Sequence, residues 1–244
     1  MKIKDYSSPK ISTGLKTLDA ITEKGFEKNS TNLIIGGSGS GKSIFSIQFL
    51  IDGIKKGEKC LYVTFEEEKE EFFSNMKELG WDLEKYEKEG KFLFLAYTPE
   101  KVKKMLEEGG GDIENTVLTN KIQRIVIDSI TSFAMLFNQE VERREATLEL
   151  FSLLRKWNCT SVLTYERDPL VEKKTTSRVL EFESDSIILL YFVRLKKKRE
   201  RFLEVYKMRG TKHSTEIFPY TIGKGGIKLN KRPFSGNMSQ FRLA

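Results

Sequence analysis

The sequence is poor in the residue types that build metal centres and disulfide frameworks. Among its 244 residues are one histidine, His213, and two cysteines, Cys60 and Cys159. A single imidazole cannot form a histidine-rich metal site. Both cysteines lie in apolar, strand-like runs, KCLYVTF and NCTSVLTY, without the spacing of metal ligands, so we expect buried reduced thiols. A zinc domain or a disulfide-stabilised secreted domain is therefore not favoured.

Long apolar runs and linker-like segments are also missing. No run approaches the roughly 20 apolar residues that a membrane-spanning helix needs, and the N-terminal MKIKDYSSPK has no apolar signal core. These features predict a cytoplasmic protein without a membrane partner. With five prolines and no Pro-, Gly- or Ser-rich linker, the sequence favours one domain over residues 1–244, with frayed ends at about 1–10 and 235–244.

Charge, by contrast, is abundant and unevenly placed. The net charge is +7, and the stretch RLKKKRER from Arg194 to Arg201 alone carries +5. This stretch separates two strand-like runs and contains no aromatic residue, so a solvated hairpin connection is the favoured interpretation. Nucleic-acid binding is the less favoured alternative.

Apolar, β-branched runs alternate with amphipathic stretches along most of the chain. The pattern predicts strands in TNLIIGG, CLYVTF, KFLFLAY, RIVID and TSVLTY. Between them it predicts helices over about 43–56, 69–79, 100–108 and 143–156, with a break at the GGG of 109–111. From Ser186 onward the pattern changes to successive strands. We therefore expect an α/β fold: a mostly parallel central sheet flanked by helices, with an antiparallel β-meander at the C-terminal side.

The stretch GGSGSGKSIF lies between a strand-like run and a helix-like run. It fits the pattern G-x-x-x-x-G-K-[ST] of a phosphate-binding P-loop. Glycines let backbone N–H groups turn around phosphate oxygens, and the helix N-terminus adds partial positive charge. Lys42 would reach the β- and γ-phosphates, and the Ser43 hydroxyl would coordinate Mg²⁺. The predicted nucleotide contacts are Gly37, Ser38, Gly39, Ser40, Gly41, Lys42, Ser43 and Ile44.

Acidic residues follow two of the predicted strands. Asp128 ends the strand RIVID, so its carboxylate should emerge at the carboxyl edge of the sheet, where the P-loop also opens, and hold the metal. Glu66 and Glu67 directly follow the strand LYVTF and should reach the same edge, where one could polarise the attacking water. The alternative for this pair is a set of ordinary charges at a helix start. If hydrolysis does not depend on them, Glu166 in TYERD is the next candidate base.

With these residues in place, the chain resembles the RecA superfamily and, within it, the KaiC-like ATPases, as a single-domain member of archaeal type. The resemblance extends over about residues 11–234 and depends on eight stretches in the family's order: STGLKTLDAI, the P-loop, YVTFEE, LGWDLEKYEKEGKF, IVIDSITS, TSVLTYER, FESDSIILL and KMRGTKHSTEIFPYTI. It implies a RecA-like P-loop NTPase fold, ATP with Mg²⁺ bound between adjacent subunits, and a homo-oligomer that is commonly a hexameric ring.

The resemblance also implies roles for individual residues. The two glutamates match the family's catalytic pair, and the aspartate matches its metal-binding acid. Lys207 and Arg209 in KMRGTKH match residues that reach the γ-phosphate of the neighbouring subunit's ATP. Thr211 and His213 match others that line that site. The alternative for His213 is a surface histidine at a strand end.

Two departures from the family limit what the resemblance implies. Circadian KaiC carries two such domains and this chain has one, so a clock function does not follow. The second KaiC domain phosphorylates its own adjacent Ser–Thr pair before a TDTIILL-type strand, where this chain reads EFESDSIILL. Glu181 and Phe182 stand in the place of the acceptors, so we expect no autokinase activity. Ser184 and Ser186 are the remaining, disfavoured acceptors.

Three functions are consistent with these residues. The resemblance implies an ATPase whose hydrolysis switches the conformation of a homo-oligomer in regulation or signalling. A DNA-binding recombinase paralogue is the alternative, since RDPLVEKKTTSRVLEF, with Lys173, Lys174 and Arg178, occupies the place of a DNA-contacting loop. Aromatics for base stacking are nearly absent there, which argues against it. The third is a scaffold that binds ATP without turnover, and the intact acidic residues argue against it.

Overall fold

A ten-stranded sheet forms the centre of the protein. The structure is a computed structural model and describes residues 9–98, 101, 104, 108–170 and 178–243. In chain order the strands are β1 (Lys10–Ile11), β2 (Phe26–Glu27), β3 (Thr31–Gly36), β4 (Cys60–Thr64), β5 (Phe92–Ala96), β6 (Arg124–Asp128), β7 (Thr160–Glu166), β8 (Ser186–Leu195), β9 (Lys198–Met208), β10 (Ile217–Gly223), β11 (Gly226–Leu229) and β12 (Arg242–Leu243).

Helices connect and cover these strands. They are α1 (Lys16–Ile21), α2 (Lys42–Lys55), α3 (Lys69–Glu78), α4 (Leu83–Lys88), α5 (Gly111–Asn120), α6 (Ile130–Met135), α7 (Glu140–Lys156) and α8 (Arg178–Glu183), with a 3-10 turn at Met238–Gln240. The helix predicted over 100–108 lies mostly outside the described residues. Of the helices that the structure describes, none has the length and apolar character needed to cross a membrane.

The sheet has the strand order β11–β10–β9–β8–β3–β7–β6–β4–β5, while β12 pairs with the end of β8. Strands β3 to β7 run parallel, and β8 also runs parallel to β3. On its other side β8 begins an antiparallel meander with β9, β10 and β11. The predicted fold class, a mostly parallel sheet with a C-terminal antiparallel meander, is confirmed.

Alternate residues of the central strands pack into two cores, one on each face of the sheet. On one face Leu33, Ile125 and Leu163 contact a cluster to which α5 and α7 contribute. On the other face Ile34 and Val162 contact a cluster to which α2 and α3 contribute. Strands buried on both faces are nearly continuous apolar runs, which is why the β-branched runs of the sequence predicted them correctly. Both cysteines are buried and free, as the sequence predicted.

The C-terminal end differs from the frayed tail that the sequence indicated. Of the predicted frayed ends, residues 1–8 and 244 lie outside the described residues, whereas β12 pairs with Val193 and Arg194 of β8. Phe241 is 5 % exposed and stacks on Phe202, with ring centroids 4.7 Å apart. One buried aromatic ring holds this end to the sheet, and a single apolar residue is too weak a pattern to recognise in a sequence.

Candidate functional site

The P-loop connects the buried strand β3 to helix α2. Gly39 and Gly41 have φ angles of 73° and 96°, in the left-handed region that glycine adopts without strain. A Cβ atom on Gly41 would come within 2.7 Å of Ile222 Cδ1, so the loop packs directly against β10. The Tyr220 hydroxyl of the same strand donates to the backbone oxygen of Ser40. The loop is therefore held by the C-terminal meander as well as by β3.

Lys42 is the first residue of α2 and lies over the P-loop. Its side chain is nearly buried, and Nζ donates to the backbone oxygen of Gly37 at 3.1 Å. Burial lowers the pKa of this amine, while the carboxylates of Glu166, Asp128 and Glu66 act in the opposite direction. The result is a cation enclosed at a helix N-terminus, where both the amine and the helix dipole favour an anion.

The carboxyl ends of four parallel strands meet the P-loop at a cavity of about 280 Å³. Parallel strands end at the same edge, and β7, β6 and β4 follow β3 in the sheet. The cavity therefore brings most of the predicted site residues together. It is lined by Ser38, Gly39, Gly41, Lys42, Ser43, Ile44, Thr64, Glu66, Glu67, Asp128, Ser129 and Glu166. The side chain of Ser40, another predicted contact, is instead fully buried.

Two hydroxyl groups from the flanking strands hold Asp128. Tyr62 of β4 donates to Oδ2 at 2.6 Å, and Thr164 of β7 donates to Oδ1. The register explains the contacts, because β6 lies between β4 and β7 and the three side chains point to one face. Burial, followed by the Asp128 charge, raises the pKa of Tyr62, so its hydroxyl keeps its proton and acts as a donor. Asp128 is thus oriented as a carboxylate with both oxygens already in hydrogen bonds.

The two consecutive glutamates have different surroundings. Glu66 accepts hydrogen bonds from the hydroxyls of Ser129, at 3.0 Å, and Ser132, both at the start of α6. Glu67 is only half-buried, yet desolvation raises the pKa of its carboxyl to about 7, with the charges of Asp128, Glu66 and Glu71 adding to the effect. A carboxylate with a pKa near the working pH is suited to accept a proton. The two glutamates therefore differ: hydrogen bonds hold Glu66 in place, whereas burial raises the pKa of Glu67.

The donor set of the cavity fits a magnesium-bound triphosphate. Four carboxylates and a single amine line it, so a bound divalent cation would offset their mutual repulsion. Among the described residues no group of three or more His, Cys, Asp or Glu side chains could hold a metal alone. Mg²⁺ commonly needs only one or two protein oxygens, with phosphate oxygens and waters completing its shell. Ser43 and Asp128 supply oxygens of that kind.

Lys207 and Arg209 lie at the opposite edge of the sheet from this cavity. Lys207 pairs with Ile187 of β8, and the preceding residue of β8, Ser186, pairs with Asn32 at the beginning of β3. The P-loop, in contrast, follows Gly36 at the end of β3. The four residue steps from Asn32 to Gly36 correspond to about 13 Å at ~3.3 Å per residue. Within one chain, the two cations are therefore separated from the P-loop by the length of a strand.

At that edge the two cations contact the C-terminal end of α8. Lys207 Nζ donates to the backbone oxygens of Glu181, at 2.5 Å, and Ser184, at 2.7 Å. Arg209 donates to the backbone oxygen of Phe182 and lies 3.7 Å from Asp185. The free carbonyls of a helix C-terminus attract cations, so α8 fixes the position of both side chains.

Thr211 and His213 follow β9 and lie at the same distant edge. The Thr211 hydroxyl donates to Glu27 at 2.9 Å and contacts Lys10. His213 Nδ1 lies 3.0 Å from the backbone oxygen of Ser214. In the part of the chain that the structure describes, neither residue lines the P-loop cavity. Their predicted contact with nucleotide therefore also requires a neighbouring subunit.

The two serines considered as phosphate acceptors are both buried. Ser184 is fully buried and donates to the backbone oxygen of Leu180, while Ser186 donates to Asn32 at 2.6 Å. Both hydroxyls therefore have partners within the chain, and the expected lack of autokinase activity stays a prediction. Of the predicted DNA-contacting loop, Lys173 and Lys174 lie outside the described residues.

Comparison with known proteins identifies the family of this arrangement. The family model described as "ATPase: KaiC" matches residues 11–233. The circadian clock protein KaiC3 of Synechocystis sp. is 34% identical over 228 residues, which are 90% of this chain and 45% of that protein. The circadian clock oscillator protein KaiC of Synechococcus elongatus is 33% identical over 228 residues, or 90% of this chain and 44% of that protein. The chain therefore spans less than half the length of these two relatives.

A solved structure shares the fold over nearly its whole length. The KaiC-like protein from the hyperthermophilic archaeon Pyrococcus horikoshii OT3 superposes with a TM-score of 0.82 and 32% sequence identity. The match covers 91% of this chain and 99% of that chain. This similarity supports the RecA-like, KaiC-like fold that the eight sequence stretches implied.

Proposed function

Because the chain belongs to the KaiC family of ATPases, we propose that it binds ATP with Mg²⁺ at the P-loop cavity and hydrolyses it. One observation carries this proposal: the P-loop cation Lys42, the hydroxyl of Ser43 and the carboxylates of Glu67 and Asp128 line the same cavity. Phosphate binding, metal binding and a proton acceptor are the three requirements of phosphoryl transfer to water.

Each of these residues has a separate task. Lys42 and the N-terminus of α2 bind the phosphates, and Ser43 and Asp128 hold the metal, which when bound neutralises charge on the phosphate oxygens. Glu67 accepts the proton of the attacking water, because burial has raised its pKa to about 7. Glu66, fixed by Ser129, orients the strand end that carries Glu67. The new P–O bond forms to the water oxygen as the bond to the leaving ADP oxygen breaks.

The active unit in this proposal is a homo-oligomer, most simply a hexameric ring. Lys207 and Arg209 cannot reach the P-loop of their own chain, because they lie at the opposite edge of the sheet. A head-to-tail neighbour would bring its own pair to the γ-phosphate, where a cation stabilises developing charge. Hydrolysis at a shared site changes the contacts between subunits, so the cytoplasmic oligomer acts as a conformational switch in regulation.

A mixing experiment tests the shared site. Lys42→Ala and Arg209→Ala should each be inactive, since removal of such a cation costs on the order of 10³ to 10⁵ in rate. In mixed oligomers some sites combine an intact P-loop with an intact Arg209, so phosphate release should return. Lys212→Ala, a neighbouring exposed lysine, is the matched control and should retain activity alone. Native mass spectrometry with and without Mg-ATP verifies that the oligomers are mixed, and no recovery from mixed oligomers would disprove the shared site.

A further inference from the structure

A second and larger concavity lies on the C-terminal meander. It has a volume of about 1270 Å³ and is lined by residues of β9, β10 and β11, by the start of α1 and by the residues that follow β11. We call it the meander groove. Its lining includes none of the carboxylates of the P-loop cavity among the residues that the structure describes. The meander groove is therefore a second opening, and Tyr220 and Arg201 of its lining contact the P-loop.

Cations approach the groove from both sides of β10. From β9 come Lys198, Arg199 and Arg201. From α1, from β11 and from the residues after it come Lys16, Lys228, Lys231 and Arg232. Because β10 lies between β9 and β11 in the sheet, its residues Pro219–Ile222 run between two groups of positive charge. The predicted hairpin connection RLKKKRER thus contributes to a basic surface that no single stretch of sequence contains.

The residues that line the groove carry a net charge nearly equal to that of the whole protein. Its seven cations face one lining carboxylate, Glu200, which leaves +6 where the entire chain carries +7. In the part of the chain that the structure describes, none of the seven forms a salt bridge. Two of them stack on one ring: Arg199 lies 5.7 Å and Arg201 4.2 Å from the centroid of Phe192. The rest of the chain carries 35 Lys and Arg residues against 34 Asp and Glu residues, so the excess of positive charge lies mainly in the groove.

The position of the charges distinguishes between possible polyanions. A peptide that binds in extended form uses a free sheet edge for its main-chain hydrogen bonds. The groove instead lies along β10, an interior strand that pairs with β9 over 217–220 and with β11 over 220–223. β11 is the edge strand, but Gln48 pairs with both backbone groups of Ile227 and Thr17 donates to the backbone oxygen of Leu229. A ligand there is held by side-chain cations. The backbone of a nucleic acid meets this condition, because it carries one negative charge per nucleotide and is bound mainly by Lys and Arg.

We infer that the meander groove binds the phosphate backbone of single-stranded nucleic acid, without preference for sequence. The groove supplies cations along a track. Tyr220, the aromatic residue among its described lining residues, is buried, so those residues present no exposed aromatic platform. Binding is therefore electrostatic and independent of the bases. The groove and the P-loop cavity share no lining residue among those described, although Arg201, Tyr220 and Ile222 of the groove contact the P-loop. We expect the strand to bind without bound ATP.

The test is fluorescence anisotropy of the full chain with a labelled single strand of about 20 mixed nucleotides, titrated between about 50 and 200 mM salt. Each phosphate contact contributes about 0.7 to the slope of log affinity against log salt, so seven cations predict a slope near −5. The groove variant carries Lys198→Gln, Arg199→Gln, Lys231→Gln and Arg232→Gln. It should bind at least about tenfold more weakly at low salt, with a slope shallower by about 3. Arg201 is left intact because it also donates to the P-loop oxygen of Gly39 at 3.0 Å.

A matched control carries the same number of changes on the α2–α4 surface: Lys55→Gln, Lys77→Gln, Lys85→Gln and Lys88→Gln, all at exposed positions. This control has the same net charge as the groove variant, and thermal melting verifies that both variants fold. Unchanged strand binding by the control would support binding at the groove. Equal loss in both variants, or no loss in either, overturns it. A poly-glutamate chain of equal length that competes as well as DNA would mean an acidic protein partner instead. The smaller variant Lys231→Gln with Arg232→Gln should lose about half the slope change.

Two measurements separate this inference from the proposed function. Lys42→Ala, which should not bind ATP tightly, should bind the strand as the unmodified chain does. Saturating Mg-ATP should likewise leave the strand bound, and displacement of the strand by Mg-ATP would assign the groove to the nucleotide site and disprove the inference.

Discussion

The hydroxyl of Tyr62 and the carboxylate of Asp128 form a 2.6 Å hydrogen bond in the interior of the sheet. Tyr62 is fully buried, and its ring stacks on Phe94 with 5.7 Å between centroids. The ring is therefore held in place on the side of the sheet where α3 packs. A rigid donor at this point fixes the rotamer of the acid that we assign to the metal.

Tyr62→Phe should weaken the magnesium dependence of nucleotide binding. Hydrogen-bond donors that hold a metal ligand in place typically contribute about 10- to 100-fold to metal affinity or activity. The variant keeps the ring but leaves Oδ2 of Asp128 without its donor, which should also cost about 1–3 kcal/mol of unfolding free energy. The measurement is nucleotide affinity with and without Mg²⁺, and only the value with Mg²⁺ should fall. Tyr86→Phe, on α4, is the control and should change neither quantity; an unchanged Mg²⁺ effect in Tyr62→Phe would contradict the positioning role.

Lys42→Ala should reduce ATP affinity by at least about tenfold, because hydrogen bonds to charged groups contribute about 1.5–3 kcal/mol each. Isothermal titration with ATP and Mg²⁺ measures the effect directly. Lys55→Ala removes a lysine from the other, exposed end of the same helix and should bind ATP normally. Equal affinity in the two variants would show that the P-loop assignment is wrong.

The convergence of the P-loop with Glu66, Glu67 and Asp128 was predictable from the sequence. These residues follow apolar runs that are long and β-branched, and parallel strands bring their carboxyl ends to one edge. Tyr62 and Thr164 were missed because a single hydroxyl in a buried strand is a weak signal by itself. Only the pairing of β4, β6 and β7 shows that both hydroxyls face the same carboxylate.

Other features depended on long-range topology. The expectation that Lys207 and Arg209 act on a neighbouring subunit came only from a family resemblance, whereas the register of β8 and β9 shows that both lie at the edge of the sheet opposite the P-loop of their own chain. Likewise, Lys198 and Arg232 are far apart in the chain and line the same groove only because β9 and β11 flank β10. Patterns of period two or 3.6 report local structure, so they contain no information about such pairings.

Replacing both glutamates by glutamine should lower hydrolysis by about 10² or more while ATP remains bound, the usual scale for loss of a general base. The single variants should differ. Glu67→Gln should reproduce nearly all of the loss, because Glu67 is the carboxylate whose pKa is raised to about 7. Glu66→Gln can still accept hydrogen bonds from Ser129 and should lose less. Single-turnover phosphate release measures the hydrolysis rate of each variant. Wild-type turnover in the double variant would make Glu166 the next candidate for the general base.

Glu67 should also make the stability of the nucleotide-free protein depend on pH. Its carboxyl has a pKa of about 7 in the folded chain against 4.5 as the ordinary value, chiefly because burial disfavours the charge. Between these two values the folded state binds more protons than the unfolded state, so the free energy of unfolding falls as pH rises through this window. Above the window the penalty is fully present, and below it the penalty is absent.

Glu67→Gln removes this titration, so its melting temperature should rise relative to the unmodified chain as pH increases from about 5 to about 8. Other ionisable groups titrate in both proteins, and their contributions cancel in the difference. Glu78→Gln, an exposed glutamate at the end of α3, is the matched control and should show a constant difference. A difference for Glu67→Gln that also stays constant across this range would mean that folding does not change the pKa of Glu67, and the pKa would then no longer favour Glu67 over the other carboxylates as the proton acceptor.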